Sequence, residues 1–423
     1  TICAASVVCM SDVYRKFRGQ MAAGGDTQDL AEESGGRNSS LSLVLLAVFF
    51  VWLGATNPWM LVFVIGLIIS IFLHEFGHYW TARKTGMKVT QFYMGFGPRL
   101  WSRKRGELEY GIRAIPLGAF VRIIGMSNLD DCDPADESRS YRSKSYPRRL
   151  LVITAGSLMH MVIALTLFIG VYAVAGRMGE TGSVRIVYAP VSGSPAAEIG
   201  LREGDVILAI DGQILESRED LVAAITSNAP GEMIAIDIER DGVPQTFEAT
   251  LAANPTDATR GYLGVGTESM DYIKQSVPSA FVYAVRDGAQ AIVGSVKALP
   301  QIFNPANAIN SLRDSVADPA TRPSTIVGAS QVGGEAGERD GLKGVLMMLA
   351  YVNVFVGVFN MFPSLPFDGG HAAVATYERL RSRNGVRYQA DFGKMIPLAT
   401  AVIALLIVIT FAGLYLDITQ PFG

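Results

Sequence analysis

The sequence predicts a polytopic α-helical membrane protein with a β-hairpin region in one loop and a small, mostly β domain in another. Three observations support this fold class. Only 18% of the 423 residues are charged, against roughly 25% in an average soluble domain. Four apolar runs have the length of about 20 residues that crosses a hydrocarbon core about 30 Å thick. Between two of these runs, short apolar stretches alternate with turn signals, as strands do.

The four runs define the core spans. Buried helices of a soluble protein are the alternative, but four such runs in one chain disfavour it. A shorter run at 41–55 precedes the breaker Thr56-Asn57-Pro58, and the sequence leaves open whether it crosses the membrane, prolongs the first span or is a signal-like segment. The core spans are predicted at 57–83, 149–176, 343–367 and 395–417.

Positively charged residues beside membrane spans indicate which loops are cytoplasmic. They are frequent in 84–148 and 368–394, whereas the tail after Leu416 has none. We therefore predict two cytoplasmic loops, the first with a membrane-associated hairpin at 91–124. The long segment between the second and third spans is then extracytoplasmic. Residues 1–40 are polar and lack hydrophobic periodicity, which predicts a disordered head.

Charge and cysteine content exclude two classes of protein. Lys plus Arg number 36 and Asp plus Glu 39, a net charge of −3, so no positive excess is available to neutralise a nucleic acid. The three cysteines are too few and too scattered for a disulfide framework or a thiolate zinc site. We expect no nucleic-acid partner.

The extracytoplasmic segment contains a predicted β domain at 177–270, followed by a linker and amphipathic region at 271–342. The stretch from Gly193 to Gly212 combines turn glycines with apolar strand positions and is similar to the signature of PDZ domains in bacterial proteases. Such a domain binds extended peptides by strand addition or acts as a spacer that restricts access, and both alternatives stay open. Its elements are predicted as strands Val184–Tyr188, Val206–Ile210, Met233–Ile238 and Thr246–Thr250 and a helix at Arg218–Ser227. Turns are predicted at Asp211-Gly212 and Asp241-Gly242.

The first span ends in His74-Glu75-Phe76-Gly77-His78, an H-E-x-x-H motif. On a helix, positions i and i+4 share a face, so both imidazoles can bind one zinc ion while Glu75 takes a proton from water. The alternative is a solvated or capping histidine pair. Ionisable groups are costly in an apolar span and are usually functional there, which favours the metal site.

Catalytic zinc sites usually have three protein ligands and one open position. The third ligand is predicted to be Asp368, which follows the third span on the same side of the membrane as the first motif. Pro363 and Pro366 break the helix and Gly369-Gly370 permits an irregular turn, so that Asp368 can face inward. The alternative is that Asp368 only caps a helix.

Together, these residues resemble the site-2 protease family of intramembrane zinc metalloproteases, most closely its actinobacterial members. The similarity runs from about residue 57 to the end and rests on the His74–His78 motif, the PDZ domain, and Asn360, Pro363 and Asp368-Gly369. The resemblance implies that His74, His78 and Asp368 bind Zn²⁺ and that Glu75 is general base and acid. It also implies that Asn360 holds the substrate or the developing oxyanion.

The second span departs from the family pattern. Members often carry Gly-Pro-x-x-Asn, whereas this chain has Gly156-Ser157-Leu158-Met159-His160. We predict that His160 is a packed or hydrogen-bonded residue of the span and not a ligand, and that His371 lies behind the ligands.

The resemblance implies regulated intramembrane proteolysis in the bacterial cell membrane, with the active site near the cytoplasmic side. The substrates would be single-pass membrane proteins, such as trimmed anti-sigma factors or remnant signal peptides. The alternative, a non-catalytic PDZ-bearing membrane scaffold, is disfavoured by the intact motifs. A helical substrate must unwind before cleavage, and the alternation of Leu108, Tyr110, Ile112 and Ala114 predicts a hairpin edge that pairs with it.

Overall fold

A computed structural model describes residues 37–130, 132–313, 322–383 and 386–422. The chain divides into two compact units, one of which is Gly170–Phe281. Residues 1–36 of the predicted head lie outside the described residues, and 37–40 begin a helix.

The described chain contains both predicted kinds of element, apolar helices and strands. The helices are α1 (Arg37–Thr56), α2 (Pro58–Lys84), α3 (Tyr146–Val174), α4 (Pro195–Glu198), α5 (Arg218–Thr226), α6 (Val277–Ile302), α7 (Pro305–Arg313), α8 (Ile326–Asp340), α9 (Leu342–Asn360), α10 (Asp368–Arg381) and α11 (Ile396–Thr419). The strands are β1 (Val89–Arg105), β2 (Leu108–Ile123), β3 (Arg177–Tyr188), β4 (Val206–Ile210), β5 (Gln213–Ile214), β6 (Met233–Arg240), β7 (Val243–Thr250), β8 (Ala252–Ala253), β9 (Gly261–Tyr262) and β10 (Gly266–Ile273).

Among the described residues, four helices, α2, α3, α9 and α11, are long and apolar enough to cross a membrane, which confirms the prediction of several long apolar helices. The third is shorter than its predicted range of 343–367, because α9 ends at Asn360 and turns follow. The 41–55 run lies in a separate helix, α1, whose apolar part Ser42–Thr56 is shorter than these spans. Asn57 ends this helix and caps the next one, since its side chain accepts hydrogen bonds from the N–H groups of Trp59 and Met60.

Glycines let α8 pack closely against the start of α2. A Cβ atom at Gly337 would lie 2.3 Å from Cβ of Trp59, and one at Gly333 would lie 2.4 Å from the ring of Phe63. Small residues allow this close approach between apolar helices. The predicted linker and amphipathic region, 271–342, thus includes helices α6, α7 and α8, the last packed against α2.

A buried carboxylate joins α11 to the beginning of α8. Asp417 is fully buried and accepts hydrogen bonds from Arg322 at 2.8 Å and from the N–H groups of Thr325 at 2.8 Å and Gly328 at 3.0 Å. The N–H groups in the first turn of a helix have no partner within the helix. Asp417 therefore completes both a charge pair and the N-terminus of α8.

Strands β1 and β2 form the predicted hairpin, but this hairpin folds back on itself. Gly95 and Gly97 in β1 and Gly118 in β2 have φ values of +88°, +79° and +137°, and glycine adopts this backbone at low cost. Four segments consequently lie side by side, in the order 119–123, 89–94, 109–112 and 99–105.

This arrangement corrects the predicted hairpin edge. Ile112 pairs with Met94 on one side and with Trp101 on the other, so the alternating segment is internal. Alternation indicates a strand and its two faces but not its neighbours, which is why the prediction was wrong. The outer segments of the described sheet are 99–105 and 119–123.

The unit Gly170–Phe281 has the predicted β-rich architecture. Its strand order is β10-β3-β4-β6-β7, and β5 pairs with β4. Two turns predicted from Asp-Gly pairs are present, and Asp211 and Asp241 in them have φ values of +50° and +51°. The core is formed by apolar side chains of these strands and of α5, among them Val184, Ile186, Ile207, Leu221, Ile234 and Ile236.

A buried ion pair connects Asp205, the residue before β4, to Arg240 at the end of β6. Asp205 is 2% exposed and accepts two hydrogen bonds of 2.7 Å from the Arg240 guanidinium and one of 2.8 Å from the N–H of Arg202. Burial raises the pKa of the Asp205 carboxyl, but the hydrogen bonds from Arg240 and Arg202 outweigh burial, so the pKa lies below its usual value.

We expect Asp205→Asn to lower the free energy of unfolding of this unit by about 2–3 kcal/mol at neutral pH. The charged hydrogen bonds are lost, and the largely buried Arg240 guanidinium is left without its carboxylate partner. Because the pKa of Asp205 is lower in the folded than in the unfolded state, its ionisation stabilises the fold at pH values above the unfolded-state pKa of about 3.9. This contribution is lost as the pH falls through the folded-state pKa. The Asp205→Asn protein should therefore lose less stability on acidification than the wild type. Hydrogen exchange of the β4 amides in the full chain, corrected for intrinsic rates, measures both effects.

Glu203→Gln is the control, since Glu203 is an exposed carboxylate two positions away. An equal acid sensitivity of the wild type and Asp205→Asn would contradict the assignment.

Candidate metal centre

Three predicted ligands meet at one point. His74 and His78 lie one turn apart on α2, each 7% exposed, with their Nε2 atoms 3.2 Å apart. Asp368 is the first residue of α10, and its Oδ2 atom lies 3.5 Å from Nε2 of His74 and 3.2 Å from Nε2 of His78. These three ligand atoms form a group that could hold one metal ion.

The arrangement fits zinc in spacing and in ligand type. Bonds of about 2.0–2.1 Å to nitrogen and oxygen imply a tetrahedron with edges of about 3.3–3.4 Å, close to the observed separations. The Oδ2 atom of Asp368 is buried and has no hydrogen-bond partner among the described residues, as expected of a metal ligand. His78 Nδ1 lies 2.8 Å from the carbonyl oxygen of Val152. Since a carbonyl only accepts, Nδ1 carries the hydrogen and Nε2 keeps its lone pair for the metal.

Two glycines bring Asp368 to the histidines. After α9 the chain turns through Met361–Phe367 and immediately begins α10. A Cβ atom at Gly369 would lie 2.2 Å from the carbonyl oxygen of Met361, and one at Gly370 would lie 2.5 Å from the nitrogen of Leu365. Only glycine allows α10 to fold back this closely on the turn. The cap position of α10 is Phe367, so the structure gives no support to the alternative that Asp368 serves only as a cap.

Helix α3 covers the histidine pair at Gly156. A Cβ atom there would lie 2.4 Å from Cε1 of His74 and 2.4 Å from Nε2 of His78. In the sequence this glycine is visible only as part of the motif that departs from the family pattern, and its packing role was not predicted. Its position in a span, four residues before a histidine, was the available signal.

The remaining predicted site residues surround this centre differently. The carboxylate of Glu75 lies beside the backbone of Val121, in the outer hairpin segment 119–123. Asn360 is the last residue of α9 and half-buried, and the metal-ligand group does not include it. His160 lies against His74, with ring centroids 4.9 Å apart, and its Nδ1 atom is 2.8 Å from Oδ1 of Asn353.

Asn353 is a buried polar residue that was not predicted from the sequence. It lies inside the apolar helix α9 and is 1% exposed. Polar side chains at such depth are usually functional, so an asparagine within a predicted span was a usable signal.

Comparisons with known proteins agree with this chemistry. The family model described as "Peptidase family M50" matches residues 62–404. The protein named "Zinc metalloprotease Rip1" of Mycobacterium tuberculosis is 32% identical over 395 residues, which cover 85% of this chain and 96% of that protein. Its namesake of Mycolicibacterium smegmatis is 33% identical over 354 residues, 76% of this chain and 86% of that protein.

A solved PDZ domain, that of the SdrC-like protein of Listeria monocytogenes, is 20% identical, with a TM-score of 0.19. The match covers 21% of this chain and 90% of that structure.

We expect Gly156→Ala to weaken zinc binding by at least tenfold, because the added methyl group would occupy the space of the two imidazole rings and displace them. Gly170→Ala on the same helix is the matched control, since a Cβ atom there meets nothing within 4 Å. Zinc per purified chain and competition with a chelator measure the effect. Wild-type zinc affinity in Gly156→Ala would show that α3 does not contact the centre in this way.

Proposed function

The chain belongs to peptidase family M50, the site-2 type of zinc metalloprotease, and on this premise we propose that it hydrolyses peptide bonds within transmembrane segments. The observation that carries the proposal is the group of buried His74, buried His78 and half-buried Asp368 on and beside α2, a helix able to cross a membrane. A protease with its centre at such a place acts on substrates that are themselves in the membrane.

We assign the zinc ligands to His74, His78 and Asp368. When bound, zinc would act as a Lewis acid that polarises the scissile carbonyl and lowers the pKa of a water molecule. Glu75 takes a proton from the attacking water and gives it to the leaving amine as the carbon–nitrogen bond breaks. For Asn360 we propose the role implied by the family pattern, contact with the substrate or with its developing oxyanion.

The low exposure of the two histidines, 7% each, supports a site from which bulk water is largely excluded. Electrostatic interactions are stronger in such surroundings than in water. A helical substrate must unwind here, because its carbonyls are otherwise hydrogen-bonded and shielded. An extended substrate that pairs with the hairpin would use the outer segment 119–123, since Val121 in this segment lies beside Glu75.

We propose that the chain is a multi-pass protein of the bacterial cell membrane, with the metal centre near the cytoplasmic side and the PDZ-like unit outside. The positively charged loops at 84–148 and 368–394 support this orientation. The outer unit would exclude substrates with large outer domains or bind an extended peptide. The substrates that we propose lack a large outer domain: they are anti-sigma factors already trimmed outside the cell membrane, or remnant signal peptides.

The alternative hypothesis is a non-catalytic PDZ-bearing scaffold, which the geometry disfavours. A scaffold has no use for three ligand atoms that lie within 4.8 Å of one another in apolar surroundings. Burial of such polar groups is costly unless they bind a partner.

We expect Glu75→Gln to reduce cleavage by at least a hundredfold while zinc stays bound, because the amide cannot accept the proton from water. The assay follows cleavage of a tagged single-span anti-sigma factor, trimmed of its outer domain, with zinc measured in the same samples. Glu198→Gln, at an exposed carboxylate of the outer unit, is the matched control. Equal cleavage by the wild type and Glu75→Gln would remove Glu75 from the chemistry.

A further inference from the structure

The face of α3 that covers the metal centre carries a third imidazole, that of His160. Gly156 and His160 are one helical turn apart and therefore share this face. His160 is 3% exposed, and its ring is tilted by 43° against that of His74, with the centroids 4.9 Å apart. It lies outside the group of candidate metal ligands formed by His74, His78 and Asp368.

The partners of Asn353 determine which nitrogen of His160 carries the hydrogen. Nδ2 of Asn353 donates to the carbonyl oxygen of Leu349 at 2.8 Å and to Oγ of Ser70 at 3.1 Å. A carbonyl only accepts, so the amide orientation is fixed. The Ser70 hydroxyl donates to the carbonyl oxygen of Gly66 at 2.9 Å and can therefore accept from Asn353.

This leaves Oδ1 of Asn353 as an acceptor that faces Nδ1 of His160 at 2.8 Å. Nδ1 must then be the donor. A neutral imidazole carries one hydrogen, so Nε2 has a free lone pair. Three helices, α2, α3 and α9, cooperate through Ser70, His160 and Asn353 to fix this tautomer.

An unwound substrate needs such an acceptor. Each backbone N–H released from a helix must find a new partner, because an unsatisfied N–H costs several kcal/mol in an apolar medium. The lone pairs of His74, His78 and Asp368 are used by the metal, and the carboxylate of Glu75 by the proton transfer. His371, the fourth histidine, lies beyond Asp368 and packs against Phe392. On the α3 side, the lone pair of His160 next to His74 is used neither by the metal nor by the proton transfer.

We propose that His160 is a substrate-binding residue, whose Nε2 atom accepts a hydrogen bond from the backbone N–H of the substrate next to the scissile bond. The inference rests on the proposed function in one respect, that the ligand of the centre is a peptide. It does not require that Glu75 performs the proton transfer.

The test compares two probes on the detergent-solubilised full chain loaded with zinc. One is a short apolar peptidyl hydroxamate, and the other is its analogue in which an ester oxygen replaces the N–H beside the metal-binding group. The wild type should bind the amide probe about tenfold more tightly than the ester probe, the value of one hydrogen bond of about 1.4 kcal/mol.

Two substitutions separate the nitrogens of the ring. His160→Asn keeps a donor near the Nδ1 position, where it can reach Asn353, but has no atom at the Nε2 position, so the preference for the amide probe should disappear. His160→Gln extends an acceptor towards the Nε2 position and should restore part of the preference. Zinc per chain should stay unchanged in both variants, and it also reports whether they fold.

Two results would overturn the proposal. One is an unchanged preference for the amide probe in His160→Asn; the other is loss of zinc from this variant while His160→Gln keeps it, which would make His160 a ligand. If neither variant holds zinc, the test is the binding of the two probes to the wild type. Equal binding of the amide and the ester probe by the wild type would exclude an acceptor for this N–H and overturn the proposal. Glu75→Gln should keep the preference even though it does not cleave, so failure of the catalytic proposal is distinguishable from failure of this one.

Discussion

The structure depends on the cost of placing polar metal ligands among apolar helices. His74, His78 and Asp368 lie close enough to share one ion, and the Oδ2 atom of Asp368 has no other partner among the described residues. Without a metal, two imidazole lone pairs and a carboxylate would face one another in surroundings of low dielectric constant. A shared zinc ion would turn this unfavourable cluster into an interaction that connects α2 to α10.

Glycine is the means by which the backbone reaches this geometry. Gly156 lets α3 contact the imidazole rings, and Gly369 and Gly370 let α10 fold against the turn after α9. The hydrogen-bonded group of Ser70, His160 and Asn353 joins α2, α3 and α9 next to His74. The ligands are therefore held by packing and by hydrogen bonds on several helices, which is how a metal site obtains a fixed geometry.

The sequence predicted the parts of the fold that follow from length and local chemistry. The long apolar helices were predictable because hydrocarbon thickness sets a minimum apolar length, and the grouping of His74, His78 and Asp368 because ionisable residues at the ends of apolar runs are rare and costly. The Asp-Gly turns at Asp211 and Asp241 followed from local backbone preference.

The features that the sequence did not reveal depend on contacts between distant segments. The hairpin folds back so that Ile112 has neighbours on both sides, and alternation of side chains carries no information about this. Asn353 is hydrogen-bonded to residues of α2 and α3, and nothing in its own neighbourhood in the sequence identifies those partners. The end of α9 at Asn360, before the predicted 367, reflects the turn that places Asp368.

X-ray absorption at the zinc edge of the purified full chain tests the shared metal centre most directly. We expect one zinc ion per chain with nitrogen and oxygen neighbours at about 2.0–2.1 Å and the outer-shell scattering of two imidazole rings, reduced to one ring in His78→Ala. A sulfur neighbour at about 2.3 Å, or a spectrum that does not change in His78→Ala, would contradict a centre built from His74, His78 and Asp368.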